Sequence, residues 1–301
     1  MNIWREKKII SMHNYPGTLP LTIIIPTKNE EKNISDCLKS ISWADQIFVV
    51  DSKSQDQTAQ IARELGATVI EFVYDGGWPK KKNWAIRNLP IRNDWFMILD
   101  ADERISPELA QEIGVAIKCS DISGYYVRWK FIFLGRWMRY CWRHGWMLRL
   151  VKKGKGEYED LGMRSEGGWD NEVHENILVD GKTAYLHNWL IHNSNETLSY
   201  WIKKQNEFSD WNAKRRIIQE EEAIPHFSWM FSSDKLNRRK WFKALYIRLP
   251  FKPILIFLYL YIYRLGFLDG KEGFYFCCLR SVHEFIIQAK IFEFSIRKNN
   301  I

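Results

Sequence analysis

The sequence predicts an α/β protein built on a mostly parallel, doubly wound sheet flanked by helices. Three observations carry that expectation. Short β-branched apolar runs alternate with helical patterns over about a hundred residues from Leu21 onward. Cap and stop residues separate the two patterns. Polar residues gather where the apolar runs end, which in such sheets is where ligands bind.

The elements follow in order. LTIIIP (Leu21–Pro26) is a continuous apolar run, the pattern of a strand buried on both faces. EEKNISDCLKSIS puts Ile34, Cys37, Leu38 and Ile41 at helical spacing. QIFVVDS (Gln46–Ser52) is a second buried strand, and DQTAQIARELG is a helix stopped by Gly66. TVIEFV is a third strand, PKKKNWAIRNL is a helix opened by Pro79, and WFMILDA is a fourth strand. SPELAQEIGVAIK begins another helix, with Ser106 as N-cap and Pro107 at N1.

Three strand ends then converge on one rim. The first runs into Pro26, Thr27, Lys28, Asn29, Glu30 and Glu31, the second into Asp51 to Ser54, and the fourth into Asp100, Ala101 and Asp102. No G-x-G-x-x-G and no G-x-x-x-x-G-K-[ST] occurs, so the dinucleotide fingerprint and the P-loop are excluded. A rim rich in carboxylates repels phosphates unless a divalent cation, Mg²⁺ or Mn²⁺, bridges them. Read as extended backbone, Asp100 and Asp102 face the same way, which suits a ribose hydroxyl and a metal ion side by side. Aspartates at strand ends also make turns, and Glu103 is read as a turn acid before Ser106.

The 301 residues, 46% hydrophobic, are enough for one large domain or two ordinary ones. The net charge is +8, and residues from Met230 onward contain 13 Lys and Arg against 5 Asp and Glu, so the whole excess falls in the last quarter. That quarter is also aromatic and apolar, which points to an anionic surface as partner. Its aromatics are embedded in apolar runs and not spaced through a basic stripe, so nucleic acid is not expected. PILIFLYLYIY (Pro253–Tyr263) is short of the roughly 20 residues that span a bilayer. The five cysteines have no metal spacing and the opening residues have no apolar h-region, so a reducing compartment and no signal peptide are expected.

TIIIPTKNEEKNISDCLKSI, IFVVDSKSQDQTAQIARELGA and MILDADE resemble the first strand and helix, the nucleotide segment and the D-x-D of inverting glycosyltransferases of family 2, which have the GT-A fold. NEVHENILVDG, LIHNSNETLSYWIKKQNEFSDWNA and YRLGFLDGKEGFYFCCLRSVHEF are similar to the subgroup that glucosylates the heptose of lipopolysaccharide inner core. The resemblance implies that Pro26, Thr27, Asn29 and Glu31 line the nucleoside pocket and that Asp51 accepts a hydrogen bond from the base. It assigns Asp100 to the ribose, Asp102 to the metal, and Lys82 and Asn83 to the nucleotide, with Lys80 and Lys81 left exposed on their helix. A later histidine often completes the metal site, and His192 is the candidate, with capping of the following helix as its other reading.

The reaction implied joins a hexose, glucose from UDP-glucose, to a hydroxyl of a lipid-linked glycan with inversion. Glu175 in VHE is the expected general base, with Asp170 in reserve. Trp129, Arg136, Trp137, Arg143 and Arg149 are candidates for stacking on sugars or pairing with phosphates. The implied organisation is an arm (1–20), a catalytic domain (21–225, divided at 120 into nucleotide-sugar and acceptor halves) and a basic, aromatic helical extension (226–301). The extension reads as a membrane-interface region, against a helical subdomain packed on the sheet, and implies a peripheral location on the inner face of the cytoplasmic membrane. The rival readings are a sugar nucleotidyltransferase, for which the glycine-free PTKNEEKN is the wrong loop, and a non-catalytic membrane-associated nucleotide-sugar-binding protein.

Overall fold

The computed structural model describes residues 17–142, 145–160, 176–193, 197–221, 227–234, 237–238, 241–242, 244–245, 249 and 251–299. The elements of the first half are β1 (Leu19–Thr27), α1 (Glu31–Ser40), β2 (Ala44–Asp51), α2 (Thr58–Glu64), β3 (Thr68–Glu71), α3 (Lys81–Asn88) and β4 (Trp95–Ile98). There follow β5 (Glu103–Ile105), α4 (Pro107–Ala116), β6 (Ile122–Phe133), β7 (Arg136–Trp137), β8 (Trp146–Lys152), β9 (Gly156–Tyr158), β10 (Ile177–Val179) and β11 (Lys182–His192). Helices α5 (Leu198–Glu221), α6 (Lys252–Leu258) and α7 (Gly270–Asn299) follow among the described residues.

The main sheet has the order β3-β2-β1-β4-β8-β6-β11-β5. Strands β3, β2, β1 and β4 are mutually parallel, as the strand–helix alternation predicts. Beyond β4 the sheet is mixed: β8 runs against both β4 and β6, β11 is parallel to β6, and β5 runs against β11. A parallel neighbour needs a crossover of about a dozen or more residues, usually a helix. The sequence has no helical pattern between β6 and β8, and an antiparallel partner results.

Alternation along β1 builds two core layers. Leu21, Ile23 and Ile25 point to the layer that holds Ile34, Cys37 and Leu38 of α1 and Leu109 and Ile113 of α4. Ile24 points to the other, with Val50, Phe96, Ile98 and Ala85 and Leu89 from the α3 side. Both faces are covered, which explains why β1 reads as a continuous apolar run. Ser106 caps α4 as expected: its hydroxyl accepts from the Leu109 N–H at 3.2 Å, with Pro107 at the first helical position.

The chain forms two compact units, Met1–Ile132 with His144–Asn195, and Phe133–Arg143 with Glu196–Ile301. Helix α5, expected from the sequence in the catalytic domain, thus belongs to the second. In that unit the Arg216 guanidinium pairs with both oxygens of Glu284, and Lys290 Nζ lies 2.7 Å from Asp210. The Asp269 carboxylate is 1% exposed and accepts from the backbone N–H groups of Arg139 (3.0 Å), Tyr140 (3.0 Å) and Cys141 (2.8 Å). Among the described residues no single helix is long and apolar enough to cross a membrane. A pair bent by 73°, Lys252–Tyr263 with Gly266–Arg297, qualifies by length and composition when taken together.

Candidate active site

The site is assembled at the carboxyl ends of β1, β2 and β4. Thr27 and Asp51 are partners across the parallel β1–β2 pair, and the Thr27 hydroxyl donates to Asp51 Oδ1 at 2.9 Å. Asp51 is 5% exposed and also accepts from the Ser54 N–H (2.8 Å) and the Ser54 hydroxyl (2.5 Å). A carboxylate has about four lone-pair sites, so three bonds leave one for a further donor. Next to it, the Ser52 hydroxyl is buried and has no hydrogen-bond partner among the described residues.

The loops after β1 and β2 are sewn together. Asn29 has φ +57°, a left-handed conformation that asparagine tolerates. Its side-chain oxygen accepts from Gln55 N at 2.8 Å, and its own N–H donates to Ser54 Oγ at 2.8 Å. Glu31 is exposed and accepts from Gln57 N at 3.3 Å, while Pro26 is buried. Asn29 and Glu31 therefore spend their side chains on holding the rim.

Helix α3 departs from the sequence reading. Lys80 and Lys81 are not exposed: they are 3% and 2% exposed, and Lys82 is 6%. Lys81 Nζ donates to the Thr27 carbonyl at the end of β1 (2.9 Å), and Lys82 Nζ lies 3.5 Å from Asp100 Oδ1. A lysine is buried only where a partner offsets its desolvation, and the rim supplies those partners. Asn83 is fully buried, with its amide bonded both ways to the Tyr158 backbone (2.8 Å each), so it anchors β9.

The D-x-D segment is a tight turn and not the extended stretch the alternation argument assumed. The Glu103 N–H donates to the Asp100 carbonyl at 2.9 Å, and the chain reverses into β5. Glu103 is a turn acid, as read from the sequence, but a buried one. It is 0% exposed, and its Oε2 accepts from the Asp100 N–H at 2.8 Å. Arg149 of β8, 2% exposed, donates to Asp100 Oδ2 and to Glu103 Oε1, both at 2.8 Å. The one guanidinium thus braces the turn through two carboxylates, and Cys37 lies beneath it with its thiol 3.8 Å from the Asp100 carbonyl. This contact places Arg149 behind the D-x-D.

The electrostatics follow from this packing. Burial alone would raise the Asp100 pKa, but the Arg149 and Lys82 charges outweigh it and hold it well below the usual carboxylate range. Burial pushes Glu103 up to about 7 against the pull of Arg149, with the Asp100 charge adding to the rise. Of the two acids sharing Arg149, Asp100 therefore carries the charge, and Glu103 is the one that takes a proton first.

Asp102 meets His192. Strand β5 lies antiparallel to β11 with Glu103 opposite His192, and the Asn193 N–H donates to the Asp102 carbonyl at 3.0 Å. That register sets His192 Nε2 3.3 Å from Asp102 Oδ2. Burial would lower the imidazole pKa, but the Asp102 carboxylate outweighs it and raises it to about 9. The Trp129 ring lies 5.3 Å from the His192 ring and 5.2 Å from the Arg149 guanidinium. Thr197 precedes α5 and accepts from the Tyr200 N–H at 3.3 Å, so a cap for α5 exists without His192.

Asp102 and His192 are a carboxylate and an imidazole within reach of one ion, a donor set that suits Mn²⁺ or Mg²⁺ when substrate phosphates supply the remaining ligands. His192 Nδ1 is buried with no hydrogen-bond partner among the described residues. Among the described residues no group of three His, Cys, Asp or Glu could hold a metal by itself. Glu175 and Asp170, the expected bases, and Arg143 lie outside the described residues. Arg136 and Trp137 belong to the second unit, where Arg136 donates to the Leu268 carbonyl at 3.2 Å.

Sequence reasoning missed the burial of Lys81, the open Ser52 hydroxyl and the Glu103–Arg149 brace. The one available signal was a third acid directly after D-x-D at the end of an apolar run.

Residues 22–153 match the Glycosyl transferase family 2 family, a span that contains Thr27, Asp51, Lys82, Asp100, Asp102 and Arg149, with Asp170, Glu175 and His192 beyond it. The lipopolysaccharide core biosynthesis glycosyltransferase LpsC of Rhizobium meliloti is 27% identical over 91% of this chain and 93% of its own. An uncharacterized glycosyltransferase of Rickettsia typhi is 26% identical over 93% and 89%. Among solved structures, TarS 1–349 of S. aureus in complex with UDP-GlcNAc is 14% identical over 87% of this chain and 90% of that one, with a TM-score of 0.43. The α/β architecture and the rim agree with the match of residues 22–153 to glycosyl transferase family 2, and that match, together with glycosyltransferases similar along nearly their whole length, makes the chain a glycosyltransferase.

Proposed function

We propose that the chain transfers a hexose, glucose from UDP-glucose, to a sugar hydroxyl of a lipid-linked glycan such as the heptose of lipopolysaccharide core, with inversion, at the inner face of the cytoplasmic membrane. The observation that carries this reading is the convergence of Asp51, Asp100 and the Asp102–His192 pair on one rim of a family 2 domain. The similarity to LpsC along nearly its whole length supports the acceptor class.

In this reading Asp51 and the Ser52 hydroxyl face the base, and Asp100 accepts from a ribose hydroxyl. Its carboxylate is kept charged by Arg149 and Lys82 and is still 29% exposed. Asp102 and His192 hold Mn²⁺ or Mg²⁺, which supplies charge stabilisation for the departing diphosphate. Lys82, beside Asp100, adds a fixed positive charge on the same rim. Glu175, with Asp170 as the alternative, takes the proton of the attacking hydroxyl. The basic, aromatic second unit contacts anionic lipid, so that donor and acceptor meet at the membrane surface.

The test is transfer from UDP-glucose to a heptose-terminated core acceptor with added Mn²⁺ or Mg²⁺. Asp102→Ala is expected to abolish transfer while the protein still unfolds in one cooperative transition above the assay temperature, at a lower midpoint than the parent because the pairing with His192 is lost. Full activity of that variant in the presence of a chelator would sink the reading.

A further inference from the structure

Helix α7 is a single long helix with two unlike faces. Phe276, Cys277, His283, Glu284 and Ile287 are all 5% exposed or less and pack inward. On the other side Phe274, Val282, Phe285, Phe292 and Ile296 are 42%, 52%, 62%, 67% and 44% exposed. With Cys278 and Ala289 between them, they recur at spacings of three and four, which makes one continuous stripe. At 1.5 Å per residue the stripe from Phe274 to Ile296 runs about 33 Å.

The arm before it is apolar and exposed too, and its Phe257 and Tyr261 rings meet Phe274 at the head of the stripe, at 6.1 and 5.6 Å. Ile254, Leu258, Ile262 and Tyr263 are 58%, 47%, 54% and 76% exposed. Tyr259 and Tyr263 stack at 5.4 Å, and Arg264 lies 3.4 Å from the Tyr259 hydroxyl, a tyrosine–arginine pairing typical of the boundary between lipid and water. The bend between the arms is built in. A Cβ on Gly273 would stand 2.4 Å from the Gly266 carbonyl oxygen, and one on Gly266 would stand 2.7 Å from the Leu260 carbonyl oxygen and 3.0 Å from Cys277 Sγ, so the turn presses against α7 because both positions are glycine.

The charges select the partner. From Phe251 to Leu268 the only ionisable groups of fixed charge are Lys252 and Arg264, with no acid among them. From there to Asn299 there are four carboxylates. Asp269 is buried on backbone N–H groups, Glu272 lies 3.7 Å from Arg136, Glu284 pairs with Arg216, and Glu293 pairs with Arg297. Lys252 is 6% exposed, so the cations this apolar surface presents are Arg264 and Lys271, and with every acid neutralised it fits an anionic phospholipid bilayer. The twelve residues Lys252–Tyr263 reach only about 18 Å as a helix, against a hydrocarbon core of about 30 Å, and the arms bend by 73°.

We propose that the bent pair Lys252–Tyr263 and Gly266–Arg297 inserts as a wedge into one leaflet of an anionic bilayer, apolar faces down, without spanning it. This rests on the membrane-surface part of the function proposed above and adds that the attachment is insertion and not charge attraction alone.

The experiment is flotation of the full chain with vesicles of equal parts phosphatidylglycerol and phosphatidylcholine, at low and at molar salt. The chain is expected to float and to remain bound in molar salt. Phe285→Glu with Phe292→Glu is expected to lower partitioning at least about tenfold with an unchanged unfolding temperature, because both positions are exposed. Flotation of the double variant equal to the parent, or a parent that stays at the bottom of the gradient, overturns the proposal. Release by molar salt overturns insertion while leaving surface attraction standing. A vesicle-free dimer that Phe285→Glu dissociates overturns it in favour of a second copy. UDP-glucose binding, read by thermal shift in the same proteins, reports separately on the glycosyltransferase reading.

Discussion

Replacing Arg149 by methionine tests whether the brace behind the D-x-D holds as described. Methionine keeps most of the length of the side chain and removes its charge and donors. Arg149 lies 2% exposed between Asp100 and Glu103, 2.8 Å from each. Removing one partner of a buried ion pair costs about 3–5 kcal/mol, because the other charge is left uncompensated. Here Glu103, 0% exposed, is that charge, while Asp100 keeps Lys82 at 3.5 Å. Glu103 has an escape, because burial already raises its pKa to about 7 and loss of Arg149 raises it further. A carboxyl whose folded pKa lies above its unfolded value binds its proton more tightly when folded. Its contribution is present below the unfolded pKa near 4.5 and is lost as pH rises through the folded value. The variant is therefore expected to lose about 3 kcal/mol in urea unfolding near pH 8 and clearly less near pH 5.5. Adding Glu103→Gln, which keeps an acceptor for the Asp100 N–H but no charge, is expected to restore most of the loss. A destabilisation below about 1 kcal/mol near pH 8, or no recovery in the double variant, refutes the brace.

Other consequences are simpler to state. In the metal-free protein the His192 pKa is raised to about 9 from 6.5, so its pairing with Asp102 stabilises fully below pH 6.5 and is lost as pH rises through 9, a difference of at most roughly 3 kcal/mol. The same proton must leave before His192 can ligate, so Mn²⁺ affinity measured by calorimetry is expected to rise from near pH 7 to near pH 9; a flat profile removes His192 from the metal site. Asp269→Ala removes the acceptor of three backbone donors, of which the Cys141 N–H is buried, and is expected to cost about 2 kcal/mol in chemical denaturation, with a loss under about 0.5 kcal/mol contradicting its anchoring role. Ser106→Ala is expected to cost about 1 kcal/mol through loss of the α4 cap, and Ser106→Asp to cost little, both measured by urea unfolding.

By itself the sequence determined what depends on near neighbours along the chain. Strands β1 to β4 and helices α1 to α4 follow from spacings of two and of three or four residues, and Ser106 with Pro107 marks the start of α4 through local geometry alone. The rim was legible for the same reason: a polar residue that ends an apolar strand must emerge at the sheet edge, wherever the other strands lie. What only the tertiary structure decided depends on register between distant segments. Pairing of β8 beside β4 brings Arg149 under Asp100, and pairing of β5 with β11 brings His192 to Asp102. Neither register leaves a mark in the spacing of either segment. The burial of Lys81 and Glu103 was hidden because a charged residue reads as exposed until its partner is known, and their partners, Thr27 and Arg149, come from β1 and β8.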